Sequence, residues 1–314
     1  MSLKDLRLDI LDIVDVSPSW LKSLSYNPIE DIVKFGKTHH LLYLLEDVFG
    51  FRKTNPILTN IRFFHYKNPY VEQISKDLKQ KELLISKIKS NNIDSALDLL
   101  TLLARVNYFK VYSKESVDFL SKEIIKTNLI DRTSNLKYRA MLLFYISRLG
   151  YRNIFSDRCL KNLKECQNSD GSWSSDISSD SNESDIFTTL LIFRSFLMDD
   201  LWSGKKFLEK TKSYLSESHL SSNQTNEELD KWNRIYSGYK ANNLFEGGSI
   251  LLLESLLLCK NLDTLKIKAI VEWIKTLQFK NGYFPYHAKL KSEKNVSATI
   301  KILSLIKKRS LLLK

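Results

Sequence analysis

Gln167-Asn168-Ser169-Asp170-Gly171-Ser172-Trp173 returns 111 residues later as Gln278-Phe279-Lys280-Asn281-Gly282-Tyr283-Phe284. Each copy has Gln, then Asp/Asn-Gly, then an aromatic residue two positions after the Gly. The chemistry of such a segment is local. A Gln amide can bond both the loop backbone and the start of the next helix. Asp/Asn-Gly supplies a turn with positive φ. The aromatic ring folds back and closes the turn. Aligned without gaps, the match runs on into the following helix: Thr188 falls on Thr299, and Leu191-Ile192 on Ile302-Leu303. The two segments are therefore read as copies of one device that ties an outer helix to the next inner helix.

Working outward, the chain alternates two kinds of helix. One kind is apolar nearly all round and must be buried on all sides. It fits His40 to Phe49, Ala96 to Val106, Ala140 to Leu149, Ile186 to Leu197, Ser249 to Leu258 and Val296 to Ile306. The other kind is amphipathic with a lysine-rich face. It fits Val71 to Ile88, Glu115 to Thr127, Asp157 to Cys166, Lys205 to Ser216 and Thr264 to Leu277, with a first member before Phe35. Paired in order, these make about six outer–inner hairpins at helical-repeat spacing. The expectation is an all-α chain, a single α/α toroid domain over 1–314 in which about six hairpins close into a ring. The pattern is weakest over 1–70. Periodicity alone leaves an open solenoid as the alternative. Ser172 to Ser184 and Ser216 to Asn233 read as long rim loops.

The segment Q-x-x-D-G-S-W at Gln167–Trp173 resembles the QW repeat of squalene–hopene cyclases and related class II terpene cyclases. It is also similar to the matching repeat in protein prenyltransferase β subunits. The resemblance implies an α/α toroid with a central cavity for a polyprenyl chain. In the class II cyclases a D-x-D-D-T motif opens the inner helix after such a loop, and its middle Asp protonates the substrate. Placing Thr188 on the motif's Thr puts Ser184, Ile186 and Phe187 at the Asp positions and leaves Asp185 one residue out of phase. A one-residue shift turns a helical side chain by about 100°. The prenyltransferase alternative matches Glu183-Ser184-Asp185 to an E-x-D segment. It then needs an Asp/Cys/His zinc set on later inner helices, where this chain has Gly247-Gly248-Ser249-Ile250 and Asn295-Val296-Ser297-Ala298. No metal and no cofactor is expected. Asp199-Asp200 lacks the third Asp of a magnesium motif and reads as a solvated turn. His39-His40 cannot share a helix face for a metal.

Asp185 and Glu183 remain as the candidate catalytic acids, with Asp176 and Asp180 beside them; Ser184 or Asp185 can equally serve as an N-cap. Tyr286 and His287 in the second loop are candidate substrate contacts. Arg194 and Arg139, like Arg148, interrupt apolar helices and can aim a guanidinium at a diphosphate. Trp232, Tyr236, Tyr239 and Phe245 can cover the same mouth.

Composition bounds the rest. With 9 Gly and 5 Pro in 314 residues, the chain is too poor in turn formers for an all-β fold. The +12 net charge is spread over polar helix faces, without the clustering and aromatic interleaving of a nucleic-acid binder. Its one local excess is at the C-terminus (Lys289, Lys291, Lys294, Lys301, Lys307, Lys308, Arg309 and Lys314 against Glu293), read first as solvated helix faces and otherwise as attraction to anionic membrane lipid or a diphosphate-bearing substrate. The N-terminus alternates charge and apolar residues, unlike a secretory signal. Cys159, Cys166 and Cys259 read as reduced thiols in a cytoplasmic protein. The leading functional expectation is an isoprenoid-handling protein that lacks the standard D-x-D-D acid and zinc site. It would take an isoprenoid or other apolar small molecule, with room for a partner subunit or second toroid. Whether it turns substrate over is left open. The alternative is a noncatalytic binding or scaffold protein on the same toroid. A toroid enzyme acting on glycans would need facing carboxylates, which Glu183 and Asp185 do not provide.

Overall fold

A computed structural model describes residues 2–89, 93–111, 114–126, 136–148, 154–175, 184–222, 224–235, 247–289 and 295–312. The chain is all-α. Among the described residues, β structure is confined to the isolated bridges Ser174–Ser184, Arg234–His287 and Phe284–Asn295. The fold divides into two compact units, one of Met1–Gln73, Asn233–Tyr236 and Thr264–Lys314, the other of Ile74–Trp232 and Ser237–Asp263.

The second unit holds α6 (Lys81–Lys89), α7 (Ile93–Tyr108), α8 (Lys114–Lys126) and α9 (Leu136–Arg148). It continues with α10 (Ile154–Glu165), α11 (Ile186–Leu197), α12 (Phe207–Ser218) and α14 (Gly248–Leu256). These helices form two layers. The apolar helices α7, α9, α11 and α14 pack side by side in chain order. The amphipathic helices lie behind them, α6 on α7 and α8, α10 on α8 and α9, and α12 on α11. The two kinds of helix expected from patterning thus occupy separate layers. All twelve residues of α11 are buried. Burying one large apolar side chain contributes about 1.5–3 kcal/mol, so this row dominates the unit's stability.

The first unit holds α1 (Leu3–Ile13), α2 (Ile29–Phe35), α3 (Thr38–Tyr43), α4 (Pro56–Tyr66), α15 (Thr264–Thr276) and α16 (Val296–Leu312). A single π-turn, Leu44–Val48, extends α3. Here the two ends of the chain pack together: α16 lies on α3, on the π-turn and on the 3₁₀ turn Ser19–Ser23. Leu41, Leu45, Tyr283, Ile300 and Leu303 share one core. Lys307 adds a hydrogen bond to the carbonyl of Val48, and Ser304 Oγ donates to Asp47 at 3.2 Å.

Three differences from the sequence reading have local causes. The amphipathic stretch Val71 to Ile88 divides into α5 (Pro69–Lys79) and α6 at Gln80, yet hydrogen bonding runs through the joint. Gln80 N donates to Lys76 O at 3.1 Å, and Leu84 N to Gln80 O at 3.1 Å. Helix α4 was not anticipated; Asn55 caps it through Ile57 N at 2.9 Å and Pro56 opens it. Part of Ser216 to Asn233 is helix α13 (Asn226–Asn233), not loop. Thr225 and Glu228 form its capping box: Thr225 N donates to Glu228 Oε2 at 2.9 Å and Glu228 N to Thr225 Oγ1 at 3.3 Å.

The two Gln-to-aromatic loops share three equivalent hydrogen bonds. Gln167 Nε2 donates to Gly171 O at 3.1 Å, and Gln278 Nε2 to Gly282 O at 3.0 Å. Asn168 N donates to Ser172 O at 2.9 Å, and Phe279 N to Tyr283 O at 2.9 Å. The aromatic backbone N–H then meets a threonine of the next helix, Trp173 N on Thr189 Oγ1 at 2.8 Å and Phe284 N on Thr299 Oγ1 at 3.0 Å. The partner of Thr299 is thus Thr189, which corrects the gapless alignment on Thr188. The second loop is one residue shorter between aromatic and threonine, 15 positions against 16. Asp185 correspondingly matches Asn295.

Each loop also docks on a further element. Gln167 Nε2 donates to Thr211 Oγ1 of α12 at 2.9 Å, and Thr211 Oγ1 to Gly171 O at 2.7 Å. Gln278 instead grips the stretch before α2: its Oε1 accepts Ser25 N at 3.0 Å and its Nε2 donates to Tyr26 O at 2.8 Å.

Both turn glycines have positive φ, +93° at Gly171 and +84° at Gly282. A β-carbon at Gly171 would lie 2.7 Å from backbone atoms of Lys210 and Thr211, whereas at Gly282 the nearest atom, Pro28 N, is 3.0 Å away. Gly171→Ala is therefore expected to cost about 2–4 kcal/mol, strain and steric conflict together, and Gly282→Ala about 1–3 kcal/mol. Urea unfolding of both variants checks the order; equal costs would contradict the tighter contact of Gly171 with α12.

Candidate functional site

The start of α11 collects the polar groups of the first loop. Asp185 is its N-cap: Oδ1 accepts Phe187 N and Thr188 N, both at 2.8 Å. Its own N–H donates to Trp173 O at 2.8 Å. Behind it, Asp170 Oδ1 accepts Ser172 N at 2.9 Å and Ser172 Oγ at 2.6 Å, and Oδ2 accepts Ser184 Oγ at 3.2 Å. Burial pushes the Asp170 carboxyl up, but the hydrogen bonds from Ser172 and Ser184 outweigh it and hold the group below its ordinary range. Tyr214 of α12 bonds Ser184; burial raises its phenol, against that bond. Glu183, Asp176 and Asp180 lie outside the described residues.

Trp173 fastens this end of α11 to the outer layer. Its indole N–H donates to Leu163 O of α10 at 2.6 Å, and its ring stacks on Phe196 with centroids 6.0 Å apart. Asp185 Oδ1 is thus occupied by backbone donors that α11 needs at its first turn. A carboxyl acting on an alkene would instead have to present its proton to an apolar space.

Arg194 stands near the other end of α11, about 13 Å along the helix from Asp185. Its Nε and Nη2 donate to the two carboxylate oxygens of Glu254 on α14 at 3.2 and 3.1 Å. Its guanidinium carbon lies 4.8 Å from the ring centroid of Phe144 on α9. Only 3% of the Arg194 side chain and 14% of the Glu254 side chain is exposed, and Nη1 is buried without a hydrogen-bond partner. The group expected to meet a diphosphate is held between three neighbouring helices of the apolar layer. Arg139, near the start of α9, is also buried. Its charge reaches Cys166, where burial raises the thiol and Arg139 opposes the rise. Asp185 and Arg194 stand at opposite ends of α11, and Arg139 is on the neighbouring α9.

Tyr286 and His287 belong to the first unit. Tyr286 O accepts Ile235 N at 2.7 Å, and its side chain is half in solvent. His287 is buried, and its Nδ1 accepts Lys289 N at 3.1 Å. Tyr236, Tyr239 and Phe245 lie outside the described residues, as does the Arg148 side chain. Trp232 is fully buried, 5.4 Å from Phe187 and 4.9 Å from His219 between ring centroids.

Sequence reasoning missed one further pair. Ser249, at the start of α14, donates to Trp232 O at 2.8 Å and lies 2.9 Å from His219 Nε2. Its bond to an aromatic residue's carbonyl repeats the Thr189–Trp173 contact, 3.2 Å in that copy. With the serine proton on Trp232 O, His219 donates through Nε2, so the pair braces α14 and the serine is not activated. Among the described residues no three His, Cys, Asp or Glu side chains are placed to share a metal ion. Among them, too, no helix is long and apolar enough to cross a membrane.

Removing either member of the Arg194–Glu254 pair strands a buried charge. Glu254→Ala is expected to cost about 3–5 kcal/mol, while the double change Arg194→Met with Glu254→Leu costs far less. Denaturant unfolding of single and double variants checks it; a double variant as unstable as the single one would contradict this account.

No protein-family model, curated protein or solved structure matches the chain.

Proposed function

We propose that the chain is a noncatalytic binding or scaffold protein built on a closed ring of α/α hairpins. Closure is supported by the order of docking. The loop after α10 grips the next outer helix, α12, and the loop after α15 grips the stretch before α2. The last hairpin thus engages the first, as a cyclic order requires.

The observation that carries the noncatalytic reading is the engagement of Asp185 as the N-cap of α11, its Oδ1 taken by Phe187 N and Thr188 N. Whether the threonine of the D-x-D-D-T motif of the cyclases that the chain resembles is set on Thr188 or on Thr189, the proton-donating position falls on Ile186 or Phe187. The remaining carboxylate caps the helix. Complete burial of α11 agrees with a filled interior, in which the apolar helices supply rigidity and the rims and outer faces remain for partners.

The second reading, an isoprenoid-handling protein, is favoured by the QW-like loops and by inner helices with no polar face. On that reading an apolar chain would share the space between the inner helices. The basic end of α16 could then lean on an anionic surface, beside the exposed Leu311 and Leu312.

Asp185→Asn separates a cap from an acid, because Asn caps about as well as Asp. The noncatalytic reading expects Asp185→Asn to melt within about 0.5 kcal/mol of the native chain, and Asp185→Ala to lose about 1 kcal/mol. Native purification followed by lipid mass spectrometry should return no stoichiometric isoprenoid. A bound polyprenyl compound would overturn the scaffold reading in favour of the second, and turnover abolished in a folded Asp185→Asn protein would make the chain an enzyme.

A further inference from the structure

Three buried histidines meet where the two ends of the chain pack. His39 and His40 lie in α3 and His65 in α4. The rings of His39 and His40 are 4.1 Å apart between centroids, and those of His39 and His65 6.4 Å. His40 makes the link to the C-terminal helix: its Nε2 lies 3.1 Å from Ser297 Oγ of α16. His65 links α4 to α3 through Nδ1 and Thr38 Oγ1 at 3.0 Å.

The backbone settles the protonation of His40. Its Nδ1 accepts the N–H of Lys37 at 3.1 Å. A nitrogen that accepts carries no proton, so the neutral ring has its proton on Nε2 and donates to Ser297. A second proton can enter only at Nδ1, where it would face the Lys37 N–H as donor against donor. It would also place a charge against the ring of His39.

We propose that His39, His40 and His65 form an acid-sensitive latch that holds α3 and α4 to the C-terminal helix α16 and releases it as the medium turns acidic. The surrounding groups reinforce the effect. Lys37 and His65 act on the cluster as present or potential cations. Glu46 of the π-turn is engaged by Arg62 of α4 at 2.8 Å, Glu30 of α2 by Lys34, and Asp31 acts on Tyr283. Helix α16 brings uncharged Ser297, with Lys301 one turn on.

The direction follows from burial. Burial first, then the neighbouring cations, pushes His40 down to about 4 and His39 to about 2, from an ordinary value of 6.5. The folded state then binds fewer protons than the unlatched one. The latch is fully stabilised above about pH 6.5 and loses stability as pH falls from there toward 4. For His40 alone the equilibrium shifts roughly thirty-fold between pH 7.5 and 5.

Hydrogen exchange of the full chain, corrected for the intrinsic pH dependence, tests this. Protection of α3 and α16 should fall together by at least roughly thirty-fold between pH 7.5 and 5, reversibly, while α11 stays protected. His40→Asn keeps an acceptor for Lys37 N–H without a titrating ring, and should lose clearly less protection than the native chain between the two pH values, by roughly the thirty-fold that His40 contributes. If that variant does not fold at pH 7.5, His39→Gln is read instead and should show a smaller acid loss than the native chain. Unchanged protection of α16 at pH 5, parallel loss in α11, or a native-like acid response in the variant would each overturn the latch.

Discussion

A helix buried on every side cannot send its terminal N–H and C=O groups to water, and much of this chain's construction answers that constraint. In α11 all twelve residues are covered, so its first amides need protein partners. Asp185 takes two of them. Thr189, a turn into the helix, then reaches out to both the N–H and the carbonyl of Trp173. The aromatic residue is fixed by its backbone as much as by its ring, and the indole carries the connection on to Leu163 of the outer layer. Outer helix, turn and inner helix become one hydrogen-bonded piece. Removing the apolar side chains of α11 would cost packing; removing these end contacts would leave buried amides without partners, at about 1–3 kcal/mol each.

The same constraint explains why structural residues here resemble catalytic ones. A carboxyl at the start of a helix can be read as an acid facing a cavity, and the same position is where a buried helix keeps its cap. Asp185, Ser184 and Asp170 have the residue types of a reactive cluster, but each recorded oxygen contact among them is to a neighbouring hydroxyl or a backbone amide. Arg194 is a parallel case. A cation in an apolar helix suggests an anionic ligand, yet Glu254 on the neighbouring helix supplies the counter-charge and Phe144 the platform.

The two helix types and their order along the chain were legible in the sequence, because an unbroken apolar run such as Leu190–Phe193 has one physical outcome in water. The Gln-to-aromatic turn was legible as well, since Gly at positive φ and Asp/Asn before it are enforced locally. Register was not. Thr188 and Thr189 are adjacent hydroxyls, and only the geometry shows which one meets Trp173. Helix α13 was missed although Thr225 and Glu228 carry a capping-box spacing, because a polar eight-residue helix has no apolar period to announce it. The partners of Arg194 and His40 were out of reach for a different reason. Glu254 is 60 residues from Arg194, and Ser297 is 257 from His40, separations that no local pattern spans.

Ser249 shows how far the repeated device extends beyond its letters. The segment before α14 has no Gln-to-aromatic match, yet Ser249 Oγ donates to Trp232 O as Thr189 Oγ1 donates to Trp173 O. What recurs is a hydroxyl in the first turns of a buried helix and a carbonyl of a buried aromatic residue. Asp185 becomes Asn295 and Trp173 becomes Phe284, while the cap and the aromatic N–H to threonine bond are kept; the indole bond to Leu163 is lost, and Thr299 Oγ1 donates to Asn295 O at 2.7 Å instead of to the aromatic carbonyl. The cap position can change between Asp and Asn without losing the helix, because either short polar side chain accepts the first amides. The residues described at the start of these buried helices thus supply the hydrogen bonds that their first amides and carbonyls need.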